Sequence, residues 1–172
     1  MNIKRIALAS LLAASGTAIA GNTPDASVGK KLDAIGLKYN VDEDGDYRLV
    51  MSGLEGDRTQ LVIVRSSVET LGNYRIREVW AAAGKLPAAE DAKGIASIAA
   101  ISKGALMDAN DKKLGGWVLK GKEADETLYY VAQIPADMGS DDLETVIASV
   151  AKSADTLEQS VEGINGTPKD KY

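Results

Sequence analysis

The chain of 172 residues contains no cysteine, no histidine and no phenylalanine. Without Cys there is no disulfide framework, and no residue near the N-terminus that a bacterial lipoprotein would acylate. Without His as well, zinc sites built on His or Cys fall away, together with Ser-His-Asp and Cys-His nucleophilic machinery. The commonest general acid–base is missing, which leaves carboxylates, Ser-Lys pairs or Tyr for any catalysis. Without Phe, the aromatic volume of the core has to come from Trp80, Trp117 and the six tyrosines. Long basic blocks are also lacking. With 25 acidic against 20 basic residues the formal charge is −5, so nonspecific nucleic-acid binding and anionic membranes are poor matches.

What is present begins with an address. Lys4 and Arg5 precede the apolar run Ile6–Ala14, and Ala18-Ile19-Ala20 is a small-x-small site. Residues 1–20 therefore read as a secretory signal peptide, cleaved near Ala20-Gly21. The run is too short to span a bilayer, so no stable membrane anchor is expected. Taking Lys4 and Arg5 from the 20 basic residues leaves 18 against 25 acidic ones, a formal charge of −7. The expected location is the periplasm, or outside the cell. Residues 21–164 suffice for a single domain, and 165–172 read as a disordered polar tail.

The order of elements follows from periodicity. Thr23-Pro24-Asp25 resembles an N-cap, a first-turn proline and a first-turn acid, with Val28, Leu32 and Ile35 at helical spacing and Gly36 as the left-handed stop. Leu37, Tyr39 and Val41 alternate as a strand. Asp44-Gly45 signals a type I′ hairpin, and Tyr47, Leu49 and Met51 return. Thr59–Arg65 is nearly continuously apolar, as in a central strand covered in part on both faces. Asn73–Trp80 alternates again, and the stretch Ala81–Gly84 is expected to break the strand. Ala88 to about Asp108 reads as a second helix, weakened at Gly94. Strands follow at Trp117–Leu119 and Thr127–Ile134, the latter stopped by Pro135. Ser140 is expected to cap the last helix, whose stripe is Leu143, Val146, Ile147, Val150, Ala154, Leu157 and Val161, with Gly163 closing it. The predicted fold class is α+β: an antiparallel sheet with helices on one face, in the order α-β-β-β(-β)-α-β-β-α.

Few constellations carry chemistry. Asn40–Gly45 matches the first half of a calcium loop, but the twelfth position is Met51, where a bidentate acid is needed, and the flanks are strands. An acidic turn accounts for it fully. Ser149-Val150-Ala151-Lys152 has Ser-x-x-Lys spacing without the supporting elements, and Asn165-Gly166-Thr167 is a sequon that matters only in a glycosylating host. Arg65, Arg75, Arg77 and Glu78 could form a carboxylate- or anion-binding face, or a solvated edge with weak ion pairs. Trp80 and Trp117 are candidate interface anchors, with core packing the simpler account. The neighbours Tyr129 and Tyr130 must point to opposite faces of their strand. If one lies in the core, the other marks a contact surface. The candidate contact residues are thus Arg65, Arg75, Arg77, Trp80 and Tyr129; no catalytic residue, metal site or cofactor is expected.

Several stretches carry a likeness. They are Gly36–Tyr47 (GLKYNVDEDGDY), Arg58–Val64 (RTQLVIV) and Ile76–Trp80 (IREVW), then Ala105–Asn110 (ALMDAN) followed by Leu114–Leu119 (LGGWVL). Through these the chain, from about Ser27 to Gly163, resembles the YbjN-type family, often labelled bacterial sensory transduction regulators, which shares the type III secretion chaperone-like fold. The resemblance implies helices packed on one face of an antiparallel sheet, no known chemistry, and a tendency toward protein–protein contacts and homodimers. The better-known relatives are cytoplasmic, so the export signal is a departure. The leading expectation is an exported noncatalytic binding or regulatory protein with a protein or peptide partner. The alternatives are an envelope sensor of a small ligand or stress, and a carboxylate-dependent hydrolase using Asp42, Asp44 or Glu78 with Arg75 or Arg77.

Overall fold

A computed structural model describes residues 23–122 and 126–165; the signal-peptide reading and nearly all of the expected tail lie outside them. The elements run α1 (Ala26–Ala34), β1 (Asn40–Val41), β2 (Tyr47–Met51), β3 (Gln60–Val64), β4 (Glu69–Leu71), β5 (Tyr74–Lys85), α2 (Ala92–Asp111), β6 (Gly116–Lys120), β7 (Thr127–Pro135) and α3 (Ser140–Asn165). The α+β class and the expected order hold, with one short exposed strand, β4, added as the first arm of a hairpin with β5. Every strand pairing is antiparallel, in the sheet order β1-β2-β3-β5-β7-β6, and β4 pairs with β5 beyond the end of β3.

All three helices pack on one face. Alternate strand residues point at them: Tyr47 and Leu49 from β2, Val62 and Val64 from β3, Val79, Ala81 and Ala83 from β5, and Leu128, Tyr130, Ala132 and Ile134 from β7. The stripe of α3 meets this layer through Leu143, Val146, Ile147, Val150, Ala154 and Leu157, all buried. Complete burial of each Leu, Ile or Val among them stabilises by roughly 1.5–3 kcal/mol before entropy is counted, which makes α3 the main cover of the sheet.

Local chemistry moves several boundaries. Asp25, not Thr23, caps α1, its carboxylate accepting the Ser27 N–H at 2.9 Å. The β1–β2 loop is not type I′. Only Gly45 has positive φ (+78°), and the Gly45 N–H donates to the Asp42 carbonyl. That is a type I turn followed by a left-handed glycine. β5 does not break at Ala81–Gly84 but runs to Lys85. Its small alanines let α3 sit close, and a register shift between Ala82 and Gly84 absorbs the irregularity. In α2, Gly94 lies in the first turn rather than mid-helix, donating to the Asp91 cap at 2.7 Å. A Cβ there would stand 2.0 Å from the Ala88 carbonyl oxygen, so the loop's close approach demands glycine. Ser140 is the first residue of α3, whose opening turn is closed by Leu143 N–H on the Gly139 carbonyl, and the helix passes Gly163 to Asn165.

Candidate functional site

The face of the sheet turned away from the helices has no element over it among the described residues. Register places its residues in rows. Val50 stands opposite Leu61, and Ala82 opposite Tyr129, which faces Val118. In the next row Arg48 faces Ile63, Ile63 faces Trp80, Trp80 faces Val131, and Val131 faces Gly116. Five strands thus contribute to one apolar surface. The nearly continuous apolar run in β3 has its explanation here: Val62 and Val64 serve the core, while Leu61 and Ile63 serve the open face.

Trp80 is its centre. The indole N–H donates to the Glu78 carboxylate at 2.9 Å, and Tyr129 meets the ring edge-on with centroids 5.4 Å apart. The Lys120 ammonium sits 5.1 Å and the Arg65 guanidinium carbon 5.7 Å from the ring centroid. A donor satisfied by Glu78 and a ring held by three neighbours fix the rotamer, so Trp80 is an anchor that loses little freedom on binding. Beside it a hollow of 440 Å³ is lined by Lys113, Gly115, Gly116, Val118, Lys120 and Val131 among others.

The five expected contact residues divide. Trp80 and Tyr129 share the open face, and Arg65 joins them, paired with Asp46 across the strands. Arg75 is exposed at the β4–β5 hairpin, beside a second hollow of 360 Å³ lined by Leu71, Tyr74 and Asp137. Arg77 is not a surface residue. It is 2% exposed and points to the helix side, where it donates to the Arg65 and Ser66 carbonyls and pairs with Asp25. Strand parity sends it there, with Val79 and Ala81. Desolvation opposes ionisation of Asp25, but hydrogen bonds from the Ser27 hydroxyl and amide and from Arg77, with the Arg77 charge, outweigh it and hold that carboxyl down to about 2. Arg77 therefore clasps the start of α1 to the sheet.

The two tryptophans have different roles. Trp117 lies on the helix side, ring edge to Tyr130 at 4.9 Å, with its N–H on Asp108 of α2 at 3.0 Å. Tyr130 is 1% exposed, its hydroxyl donating to the Leu114 carbonyl. Burial, with the Asp108 charge adding to it, pushes that phenol up from its ordinary value. So the adjacent tyrosines do split, Tyr130 to the core and Tyr129 outward.

Residues the sequence reading passed over include Arg48, Lys113 and Lys120 around the open face. It also missed a buried polar network: Arg58 pairs with Asp155 at 2.6 Å and Glu158 at 3.4 Å, and Gln60 donates to Glu158 at 3.2 Å. This network fastens the far half of α3 to the start of β3. The groups suggested for hydrolysis do not converge. Glu78 serves the Trp80 indole on one face and Arg77 serves Asp25 on the other, while the Asp42 carboxylate accepts the amides of Asp44 and Asp46 in its own loop.

No protein-family model matches the chain, and no curated protein matches it in sequence. Among solved structures it is similar to YbjN of E. coli, described with its crystal structure as a candidate transcription regulator. The superposition covers 81% of this chain and 92% of that one, with a TM-score of 0.51 and 7% sequence identity. The fold is YbjN-like.

Proposed function

We propose that the protein is an exported, noncatalytic binding or regulatory protein that holds a polypeptide partner on the open face of its sheet. The observation that carries this reading is the five-strand apolar surface centred on the immobilised Trp80–Tyr129 pair. Apolar patches of this kind mark interaction sites in soluble proteins, and rigid aromatics are the usual energetic centres of such contacts. The likeness to a protein described as a regulator supports a role exercised through partners rather than turnover. Export rests on residues 1–20, with the periplasm as the proposed location.

A photoreactive residue placed at Val118 on the open face, with Lys152 on the exposed side of α3 as the control site, tests the docking surface in cells. Adducts from position 118 alone are expected; equal yields from both sites would defeat the reading. Mass spectrometry of the full-length gene product should show a chain beginning at Gly21, and an intact Met1 start in the cytosolic fraction would remove export. A second reading, a small-ligand sensor, is favoured by the 440 Å³ hollow beside Trp80, a size suited to a metabolite. A ligand at a hundred times its Kd would add about 2.7 kcal/mol in a thermal-shift screen.

A further inference from the structure

Charge is distributed unevenly around the open face. The chain as a whole is acidic, at −5, yet the face is bordered by Arg48 on β2, Lys113 before β6 and Lys120 on β6. Among the described residues none of these three cations is paired with a carboxylate. Of the acids on this side, Asp46 is engaged by Arg65 and Glu78 by the Trp80 N–H, while Glu69 on β4 stands exposed opposite Ile76, beyond the end of β3. The surface therefore offers an apolar, aromatic middle with unopposed positive charge at both ends.

We infer that the occupant of this face is an acidic–apolar polypeptide segment, laid across the strands so that its apolar side chains cover Trp80, Tyr129 and Val118. Its flanking carboxylates then reach Arg48 on one side and Lys113 and Lys120 on the other. This rests on the reading of the open face as a docking surface and names what docks there. The span supports a short segment. From β2 to β6 is four inter-strand spacings, or about 19 Å at the usual separation, which about six extended residues cover. A second copy of the chain fits less well. An isologous pairing would repeat the same three cations on both sides and leave them in excess over the exposed Glu69 of each copy.

The test uses the full chain and three labelled peptides in fluorescence anisotropy. Each has a centre of valine, tyrosine, leucine and valine; the flanks are two glutamates, two glutamines or two lysines at each end. At low salt the glutamate peptide should bind at least about tenfold more tightly than the lysine peptide, with glutamine between, and the gap should narrow at high salt. The double variant Arg48→Glu/Lys120→Glu, checked for unchanged circular dichroism, should invert the order. Equal binding of the three peptides, or none, alongside persistent crosslinks from position 118, would overturn the acidic specificity and leave the docking surface standing. Loss of both would overturn both. A dimer in sedimentation that Val118→Glu dissociates, with circular dichroism unchanged, would overturn the inference in favour of a second copy.

Discussion

Removing Asp25 should cost more stability than removing Arg77, although they are partners in one ion pair. The asymmetry comes from burial. The Arg77 side chain is 3% exposed and that of Asp25 30% exposed. Asp25→Ala strands a buried guanidinium with only the Arg65 and Ser66 carbonyls for company. An uncompensated buried charge costs about 3–5 kcal/mol, lowered here by those two acceptors; loss of the α1 cap adds about 1 kcal/mol. The expected total is about 3–4 kcal/mol. Arg77→Met leaves Asp25 free to turn to water while still capping α1, so the cost should be about 2 kcal/mol, chiefly two orphaned carbonyls. The double variant should fall short of the sum by about 1–2 kcal/mol. Urea unfolding followed by circular dichroism measures all three. Because the folded Asp25 carboxyl is depressed from 3.8 to about 2, its contribution is complete above pH ~4 and is lost as pH falls through 2. With the carboxylate in contact with solvent, that part amounts to about 1 kcal/mol. The gap between wild type and Asp25→Ala should therefore narrow toward pH 2. A larger loss from Arg77→Met, or a gap that ignores pH, would refute the reasoning.

Gly115 has φ +89°, and an added Cβ would lie 2.6 Å from the Val131 carbonyl oxygen and 2.9 Å from Tyr130 Cε1. Gly115→Ala should thus lower stability by about 2 kcal/mol or more in a denaturant titration. Gly94→Ala, which helix propensity alone would favour by about 1 kcal/mol, should instead lower the melting temperature, because its Cβ meets the Ala88 carbonyl oxygen. Trp117→Ala should cost about 3 kcal/mol as a cavity on the core side. Trp80→Ala should cost less than half as much in the same melts while abolishing peptide binding.

Much of the fold was legible because its signals are periodic. The stripe of α3, the strand alternation in β2 and β7, and the split of Tyr129 from Tyr130 all follow from 3.6- or two-residue repeats. The parts that were not legible are those where burial contradicts residue type. Asp155 and Glu158 are buried because Arg58 and Gln60 come to meet them from 97 and 98 residues away. Arg77 reads as surface until Asp25 is seen beside it, 52 residues upstream. β4 has three exposed residues and no apolar side to reveal it. In α2, Ile95, Leu106 and Met107 carry a core-like pattern yet remain exposed. For the candidate site, Trp80, Tyr129 and Arg65 were visible as strand residues. Arg48, Lys113 and Lys120 became part of it only when the register of four pairings brought their strands into one surface.

The placement of β7 between β5 and β6 bears on when this chain can fold at all. One edge of β5 belongs to β3 and β4, but the other waits for β7, with Ile76 opposite Pro135, 59 positions later. α3, which follows β7, then seals β3, β5 and β7. Such non-local closure is slow, on the order of milliseconds to seconds. Until α3 has been synthesised, the emerging polypeptide has an incomplete sheet and no cover for it. A chain cut after Pro135 should lack tertiary circular dichroism in the aromatic region. Late closure leaves a long interval in which the polypeptide is still a thread, the form that the proposed export would require.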